Sequence, residues 1–290
     1  MVVKLPETRE QIVENLLKLA NTKIPEDIGW ALEAAAEWEA DASARTVLGA
    51  ILDNIRKAEH LGKPMCQDTG VPVFWVRGRI DPGIADDIRE AVVRSTAKVP
   101  MRPNAVDPFT RKNSGDNTGA GMPFIHYIPT ADPFTEISVM LKGAGSVNMT
   151  KLAMLNPAEG REGIVKFIID SVLDAGGRPC PPGIVGIGIG GTSDECAAAA
   201  KRALMEPLDH EDPDPEIRKL EEDLFIKLNS SGLGPMGLGG NTTVLGVKIR
   251  KMACHTASLP VCVNIGCWAT RRASARITDS DVEYSQGAVL

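Results

Sequence analysis

Hydrophobic positions in the first part of the chain recur every three or four residues, which is the spacing of one face of a helix. One such face consists of Leu48, Ile51, Leu52 and Ile55. Thr8 and Gln11 have the spacing of a capping box at the start of the first helix. Gly62 and Pro64 predict where the last of these helices ends. The segment of about 1–62 is therefore predicted to be a helical N-terminal section.

Beyond residue 62, apolar runs of strand length are mixed with further helical patterns. Helices are predicted at 82–98, at 162–175, after Thr192 and before residue 230, and strands at 71–76, 124–128, 137–141, 184–189, 243–251 and 259–265. Thr192 and Glu195 again have capping-box spacing. Helices and strands do not alternate regularly, so we expect a mixed sheet. The predicted fold is mixed α/β (α+β), a single domain over 1–290 with its mixed-sheet region at about 63–290.

Composition narrows the classes of partner. The chain is 43% hydrophobic and 24% charged, as in an ordinary globular protein. Its net charge of −6 and its aromatic content of 4% argue against nucleic acid or an anionic membrane as the partner. No stretch approaches the roughly 20 apolar residues of a membrane span, and the N-terminus lacks the pattern of a secretory signal. We expect a cytoplasmic protein that binds neither nucleic acid nor membrane.

Six cysteines in a chain of 290 residues do not suggest a dense disulfide framework, so their thiols are expected to be free in a reducing compartment. Three of them, Cys66, Cys180 and Cys267, lie among prolines and glycines rather than inside predicted helices. They are far apart in sequence and can meet only through folding. Three such thiolates could hold an iron–sulfur cluster at three irons and leave the fourth iron open for a substrate.

Other interpretations of these motifs remain open. The glycine run 186–191 matches the spacing of a dinucleotide-binding turn, but no acidic residue ends a strand about 20 positions later. Cys254, His255, Cys262 and Cys267 lack the paired cysteines of a structural zinc site. Cys196 and Cys262 fit small buried hydrophobic residues.

The polar candidates also have simpler interpretations. His255 could be a structural histidine, and Asp68 could cap the turn at Gly70. Arg102 could be a surface charge, and Lys142 a solvated one at a strand exit.

Four segments taken together are more specific to one protein family than any one of them alone. They are Cys66-Gln67-Asp68-Thr69-Gly70, Lys142-Gly143-Ala144-Gly145-Ser146-Val147-Asn148, Cys180-Pro181-Pro182 leading to Gly190-Gly191-Thr192, and His255-Thr256-Ala257-Ser258 leading to Gly266-Cys267. In this order they resemble the iron–sulfur (class I) fumarate hydratases along nearly the whole chain. The resemblance is strongest to the α subunit of the two-subunit form, in a family shared with L(+)-tartrate dehydratase.

The resemblance implies a role for each matching residue. Cys66, Cys180 and Cys267 would ligate a [4Fe–4S] cluster. Substrate carboxylates would be contacted by Gln67, Arg102 and Gly145, with Asp68 as an acid/base residue and His255 as a further polar group of the active site.

The implied reaction is the reversible hydration of fumarate to (S)-malate, a small dicarboxylate substrate. L(+)-tartrate dehydratase is the alternative, although the segments 142–146 and 190–192 look more like those of fumarases. Single-chain relatives continue into a second domain that this sequence lacks, which implies a fumarase β subunit as partner in an α2β2 assembly. An iron–sulfur redox sensor or electron carrier is the rival from another class.

Overall fold

The computed structural model describes residues 2–4, 7–99 and 101–287, with side chains from residue 7 onward. Its helices are α1 (Arg9–Thr22), α2 (Glu26–Trp38), α3 (Ala42–Leu61), α4 (Ile84–Lys98), α5 (Ala144–Val147), α6 (Gly160–Ala175), α7 (Ser193–Ala203) and α8 (Pro215–Asn229). Its strands are β1 (Val2–Lys4), β2 (Val71–Gly78), β3 (Phe124–Pro129), β4 (Thr135–Lys142), β5 (Lys151–Leu155), β6 (Gly183–Ile189), β7 (Val244–Lys251), β8 (Leu259–Gly266), β9 (Arg271–Ile277) and β10 (Asp281–Ser285). Short 3₁₀ turns lie at Pro157–Glu159 and Pro235–Gly237.

The strands form two mixed sheets. The six-stranded sheet has the order β1-β10-β9-β4-β2-β3, and the four-stranded sheet has the order β5-β8-β6-β7. β2 runs parallel to β3 and β6 runs parallel to β7, while the other neighbours are antiparallel. The mixed α/β class predicted from the sequence is confirmed.

Helices cover both faces of the six-stranded sheet. Side chains of neighbouring positions on a strand point to opposite faces, and on β2 Phe74 packs with α1 and α4 while Trp75 packs with α2 and α3. The cluster around Trp75 also contains Ile184 and Leu204, from β6 and the end of α7. One hydrophobic cluster therefore includes residues of both sheets, and it lies beside the loops that carry the candidate cysteines.

The four-stranded sheet is covered in the same way. α6 and α8 pack on one face, where Ile168 and Leu224 are fully buried. α7 packs on the other face, where Cys196 and Ala200 meet Cys262 of β8. This leaves the strand ends of β6 and β8 to carry the connecting loops.

Of the two capping boxes predicted from the sequence, one is present in the structure and one is not. The capping box of Thr8 and Gln11 is present, with both reciprocal hydrogen bonds. The box predicted at Thr192 is wrong, because its side chain accepts no capping hydrogen bond and its hydroxyl instead donates to Asp194 Oδ1 at 2.6 Å. Thr192 still occupies the N-cap position of α7.

Four strands were not predicted: β1, β5, β9 and β10. β1 shows that the first 62 residues are not wholly helical, since it pairs with β10 near the other end of the chain. β9 opens with Arg271 and Arg272, both buried, so it lacks the apolar alternation that marks a strand. Tertiary pairing, rather than local pattern, places these four segments in sheets. Within the described ranges, no helix has the length and apolar character needed to cross a membrane.

Candidate active site

The end of the antiparallel pair β6/β8 brings two of the three candidate cysteines together. Cys180 precedes β6 and Cys267 directly follows β8, where Ile184 pairs with Gly266. The Trp268 N–H donates to the Cys180 carbonyl oxygen at 3.2 Å. A Cβ on Gly183 would lie only 2.0 Å from the Gly266 carbonyl oxygen. Only glycine at that position lets the two strand ends approach this closely.

Cys66 reaches the same place from the other sheet. It lies in the loop between α3 and β2, as the glycine and proline after α3 predicted. Arg271, four residues after Cys267, donates from Nη1 to the Asp68 carbonyl oxygen at 2.7 Å. The Cys66 thiol is near that of Cys180, since burial and then the neighbouring Cys66 raise the pKa of Cys180.

The same interplay is seen at Cys267. Burial raises the pKa of its thiol, Arg271 and Lys142 oppose that rise, and Cys66 adds to it. Hydrogen bonds thus bring the loops of Cys66, Cys180 and Cys267 together, and these three thiols are hereafter called the thiol cluster.

The environment separates these three cysteines from the others. Cys66 and Cys267 are half-buried, Cys180 is exposed, and none of the three is in a disulfide. Cys196 and Cys262 are fully buried, and burial raises their pKa to about 11 and about 12. They fit the small buried hydrophobic residues predicted from sequence. Cys254 is exposed in a loop, where its Sγ donates to the Ser258 carbonyl oxygen at 3.2 Å.

Asp68 ties the loop of Cys66 to the turn after β4. Its Oδ2 accepts from the Ala144 N–H at 2.7 Å, and its Oδ1 accepts from the Gly70 N–H at 2.9 Å. Asn104 Nδ2 approaches Oδ1 at 3.4 Å. Asp68 is thus a turn-capping residue and also a half-buried carboxylate beside Cys66.

The three predicted substrate contacts surround the thiol cluster and are exposed. Gln67 directly follows Cys66, and the Arg102 N–H donates to Thr69 Oγ1 at 2.9 Å, which holds it next to the same loop. Gly145 lies close to the segment before Cys180, since a Cβ there would be 3.4 Å from the Arg178 carbonyl oxygen. All three are accessible to a ligand from solvent.

His255 is not part of this assembly within one chain. It lies on the exposed loop before β8, and hydrogen bonds from Gly191 N–H to Ala253 O and from Met252 N–H to Ile189 O hold that loop at the far end of β6. From Leu259 to Gly266 a strand spans about 23 Å, and Cys267 lies at the other end. The expectation that His255 joins the cysteines is therefore not met by the fold of the chain itself.

Two cations at the thiol cluster were missed by sequence reasoning. Lys142, whose sequence context also fits a solvated charge, is only 4% exposed, and its Nζ donates to the Ile265 carbonyl oxygen. Burial lowers its pKa to about 7, against the opposing influence of Cys267. Arg271 is 1% exposed and was not singled out at all. No local pattern indicates that Arg271 is buried, because its burial depends on the pairing of β9 with β4.

Three thiols can ligate an iron–sulfur cluster, in which each thiolate binds a different iron. Among the residues that the structure describes, no group of three or more His, Cys, Asp or Glu side chains is placed to hold a single metal ion. Free thiols from three loops, with buried cations behind them, fit an iron–sulfur cluster by chemistry.

Comparisons with known proteins identify the family of the chain. The family model described as "Fumarate hydratase (Fumerase)" matches residues 10–276. The chain is 44% identical over 274 residues to the "Putative L(+)-tartrate dehydratase subunit alpha" of Methanocaldococcus jannaschii, covering 92% of this chain and 96% of that one. It is 34% identical over 289 residues to the "L(+)-tartrate dehydratase subunit alpha" of Escherichia coli (strain K12), covering 96% of this chain and 95% of that one. The chain therefore belongs to the fumarate hydratase (fumerase) family of hydro-lyases.

Proposed function

We propose that this chain is the α subunit of an iron–sulfur hydro-lyase that interconverts fumarate and (S)-malate. The observation that carries the proposal is that hydrogen bonds join the loops of Cys66, Cys180 and Cys267, which come from two different sheets. These three thiolates would hold a [4Fe–4S] cluster. When bound, the cluster supplies an open iron as a Lewis acid that polarises the C–O bond of the departing hydroxyl.

The chain's own residues bind and orient the substrate. The exposed guanidinium of Arg102 offers two parallel donors to a carboxylate, which offsets the repulsion of a dianion by a chain of net charge −6. Gln67 donates from its side-chain amide, and the turn at Gly145 lets a carboxylate approach the backbone. Asp68 lies next to Gln67 and exchanges a proton at the hydroxyl oxygen that leaves or adds.

The remaining substrate groups come from outside this chain, since its own His255 lies at the far end of β6 and β8 from the thiol cluster. Both relatives named above carry the words "subunit alpha", which supports a second kind of chain in the working enzyme. We infer a β subunit, in an α2β2 assembly, that completes the site opposite the thiol cluster. The isolated α chain is then expected to bind iron without turning over substrate.

L(+)-tartrate is the second candidate substrate, favoured by the printed names of the relatives. Tartrate differs from malate by one added hydroxyl group, so the same carboxylate contacts serve both. Discrimination depends on whether the pocket hydrogen-bonds that second hydroxyl, since a site built for a hydroxyl rejects the analogue that lacks it.

The test is an anaerobic preparation of the α chain alone and of the α chain co-expressed with its β chain. Iron and acid-labile sulfide are measured in both, and turnover of fumarate, (S)-malate and L(+)-tartrate is compared. The expected result is a cluster in both preparations and hydro-lyase activity only with β, highest on fumarate and malate. If L(+)-tartrate is turned over fastest, tartrate rather than fumarate is the substrate. If the protein contains zinc in place of iron, the proposal is wrong.

A spectroscopic measurement distinguishes the proposed hydro-lyase from a redox sensor or electron carrier. If the open iron binds substrate, adding malate or tartrate changes the electron paramagnetic resonance spectrum of the reduced cluster. A spectrum that stays the same with every dicarboxylate would favour the sensor.

A further inference from the structure

Two consecutive buried arginines on β9 have opposite electrostatic surroundings. Arg271 and Arg272 are 1% and 0% exposed, and they point to opposite faces of the sheet. Arg272 forms an ion pair with Asp27 of α2. Arg271 has no carboxylate within 4.0 Å among the described residues, and its Nε has no hydrogen-bond partner there. Its one side-chain hydrogen bond in this part of the chain goes to a neutral acceptor, the Asp68 carbonyl oxygen.

Lys142 of β4 is a second buried cation without a carboxylate partner among the described residues. It is 4% exposed, forms no ion pair within the described ranges, and donates to another neutral acceptor, the Ile265 carbonyl oxygen. Arg271 and Lys142 are also near each other, since Arg271 contributes to lowering the pKa of Lys142, after the larger effect of burial. Both act on the Cys267 thiol in the direction that favours the thiolate.

Burying cationic groups without ion-pair partners is costly, because charges in a protein interior are normally paired, bound to an ion, or neutralised by a shifted pKa, as burial does for Lys142. Two such cations side by side repel each other as well. No described carboxylate forms an ion pair with either cation, although the Asp68 carboxylate lies near Arg271. An anionic occupant at Cys267 would supply the missing charge.

We propose that Arg271 and Lys142 are positioning residues that neutralise the negative charge of the thiolate-bound cluster from behind Cys267. The inference rests on the proposed function, since it needs the thiol cluster to hold an iron–sulfur group. Three thiolates outweigh the positive charge of the iron–sulfide core, so the bound cluster is a net anion. Reduction by one electron makes it more negative, so nearby cations favour the reduced state and raise the reduction potential.

These two cations do not bind the substrate itself. Lys142, Arg271 and Cys267 line a small cavity of ≈ 10 Å³. Such a space holds about one water molecule, far less than a dicarboxylate needs. Both side chains are also shielded from solvent, in contrast to the exposed Arg102.

The test measures the midpoint potential of the cluster and the rate of iron loss in the anaerobically reconstituted αβ complex. Arg271→Met and Lys142→Met are expected to lower the potential and to speed iron loss severalfold. Arg271→Lys, which keeps the charge, is expected to retain a potential close to that of the wild type. In the cluster-free chain, Arg271→Met is expected to leave the melting temperature unchanged or raise it, because it removes an unpaired buried charge.

The matched control is the double variant Asp27→Asn/Arg272→Met, which neutralises the neighbouring buried pair on the other face of β9. It should leave the cluster potential unchanged. If Arg271→Met and Lys142→Met both keep the wild-type potential, the charge-compensating role is wrong while the proposed function stands. If the wild-type complex takes up no iron and sulfide, the proposed function itself fails, and the inference fails with it.

Discussion

Single residues at this site are distinguished by environment rather than by type. Six cysteines share one side-chain chemistry, yet Cys196 and Cys262 are sealed between α7 and β8 while Cys180 is exposed on a turn. Thiolate is the form that binds metal, and burial in an apolar setting disfavours it. Lys142 and Arg271, the charged side chains near the thiol cluster, oppose the rise in the pKa of Cys267. Neither contributes to the pKa of Cys262, which burial and Cys196 raise.

The cysteines of β8 and its exit provide a sharp comparison. Cys267→Ser is expected to lose most of the cluster, because a hydroxyl is a far poorer ligand for iron of this kind than a thiolate. Cys262→Ser, five residues earlier and within β8, is expected to keep the cluster, at some loss of stability from a buried hydroxyl. The measurement is the iron and sulfide content of both variants after anaerobic reconstitution. Equal loss in both variants would mean that Cys267 is not the ligand.

At the scale of elements, the register of β6 against β8 sets the geometry of the site. The pairing of Ile184 with Gly266 brings the turn of Cys180 to the exit of Cys267, and it sends the loop of His255 to the opposite end. A shift of one residue would turn every side chain of the strand to the other face. The close approach at Gly183 holds this end of the pair together.

Gly183→Ala tests that approach. The added Cβ would overlap the Gly266 carbonyl oxygen, so the strands must separate where the two cysteines meet. We expect a loss of about 1–3 kcal/mol in the free energy of unfolding, together with poorer iron retention. Gly49→Ala on α3 is the control, since nothing lies within 4 Å of its Cβ position and alanine favours a helix by up to about 1 kcal/mol. A Gly183→Ala protein with wild-type stability and iron content would contradict the close-packing explanation.

A second element-scale prediction concerns the packing of α8 on β7. Glu221 accepts from the Ile249 N–H at 2.7 Å, and burial raises its pKa from 4.5 to about 7, although that hydrogen bond opposes the rise. The folded chain therefore keeps a proton that the unfolded chain releases between these values. Linkage then requires the stability contributed by this group to fall as pH rises from about 4.5 to 7, with little further change above.

Glu221→Gln keeps an acceptor for Ile249 and removes the titration. The melting temperature of the variant minus that of the wild type should increase from pH 5 to pH 8, when both are measured on the cluster-free chain. The exposed neighbour Glu222→Gln should show no such pH-dependent difference. A constant difference between Glu221→Gln and wild type across this range would show that Glu221 ionises normally.

For the whole molecule, the thiol cluster joins the two sheets. Cys66 enters from the loop before β2 of the six-stranded sheet, while Cys180 and Cys267 flank β6 and β8 of the four-stranded sheet. A group bound by all three would therefore link the sheets and stabilise the folded state, because it binds that state and not the unfolded chain.

Reconstitution with iron and sulfide should accordingly raise the melting temperature by several degrees, at about 2–4 °C per kcal/mol for a chain of this size class. Cys66→Ser should abolish most of that gain, and Cys262→Ser should preserve it. Differential scanning calorimetry under nitrogen measures both. A melting temperature indifferent to the cluster would show that the thiols do not bridge the sheets.

Local signals predicted much of the secondary structure. Helical periodicity and end signals located α1, α3, α4 and α6, and turn residues around Cys66, Cys180 and Cys267 marked them as distinct from Cys196. These features depend on residues a few positions apart, so they can be seen in the sequence. The four segments that resemble the fumarate hydratases pointed to the family that the comparisons show.

The sequence by itself thus determined the helices, the class of the fold and the candidate thiols, because periodicity and turn chemistry act over short distances. Only the tertiary structure decided the pairing of β9 with β4, the burial of Lys142 and Arg271, and the separation of His255 from the cysteines. Strand partners such as β4 and β9 are more than a hundred positions apart. Whether a charged side chain is solvated or buried depends on what such distant partners bring to it, and no local pattern contains that information.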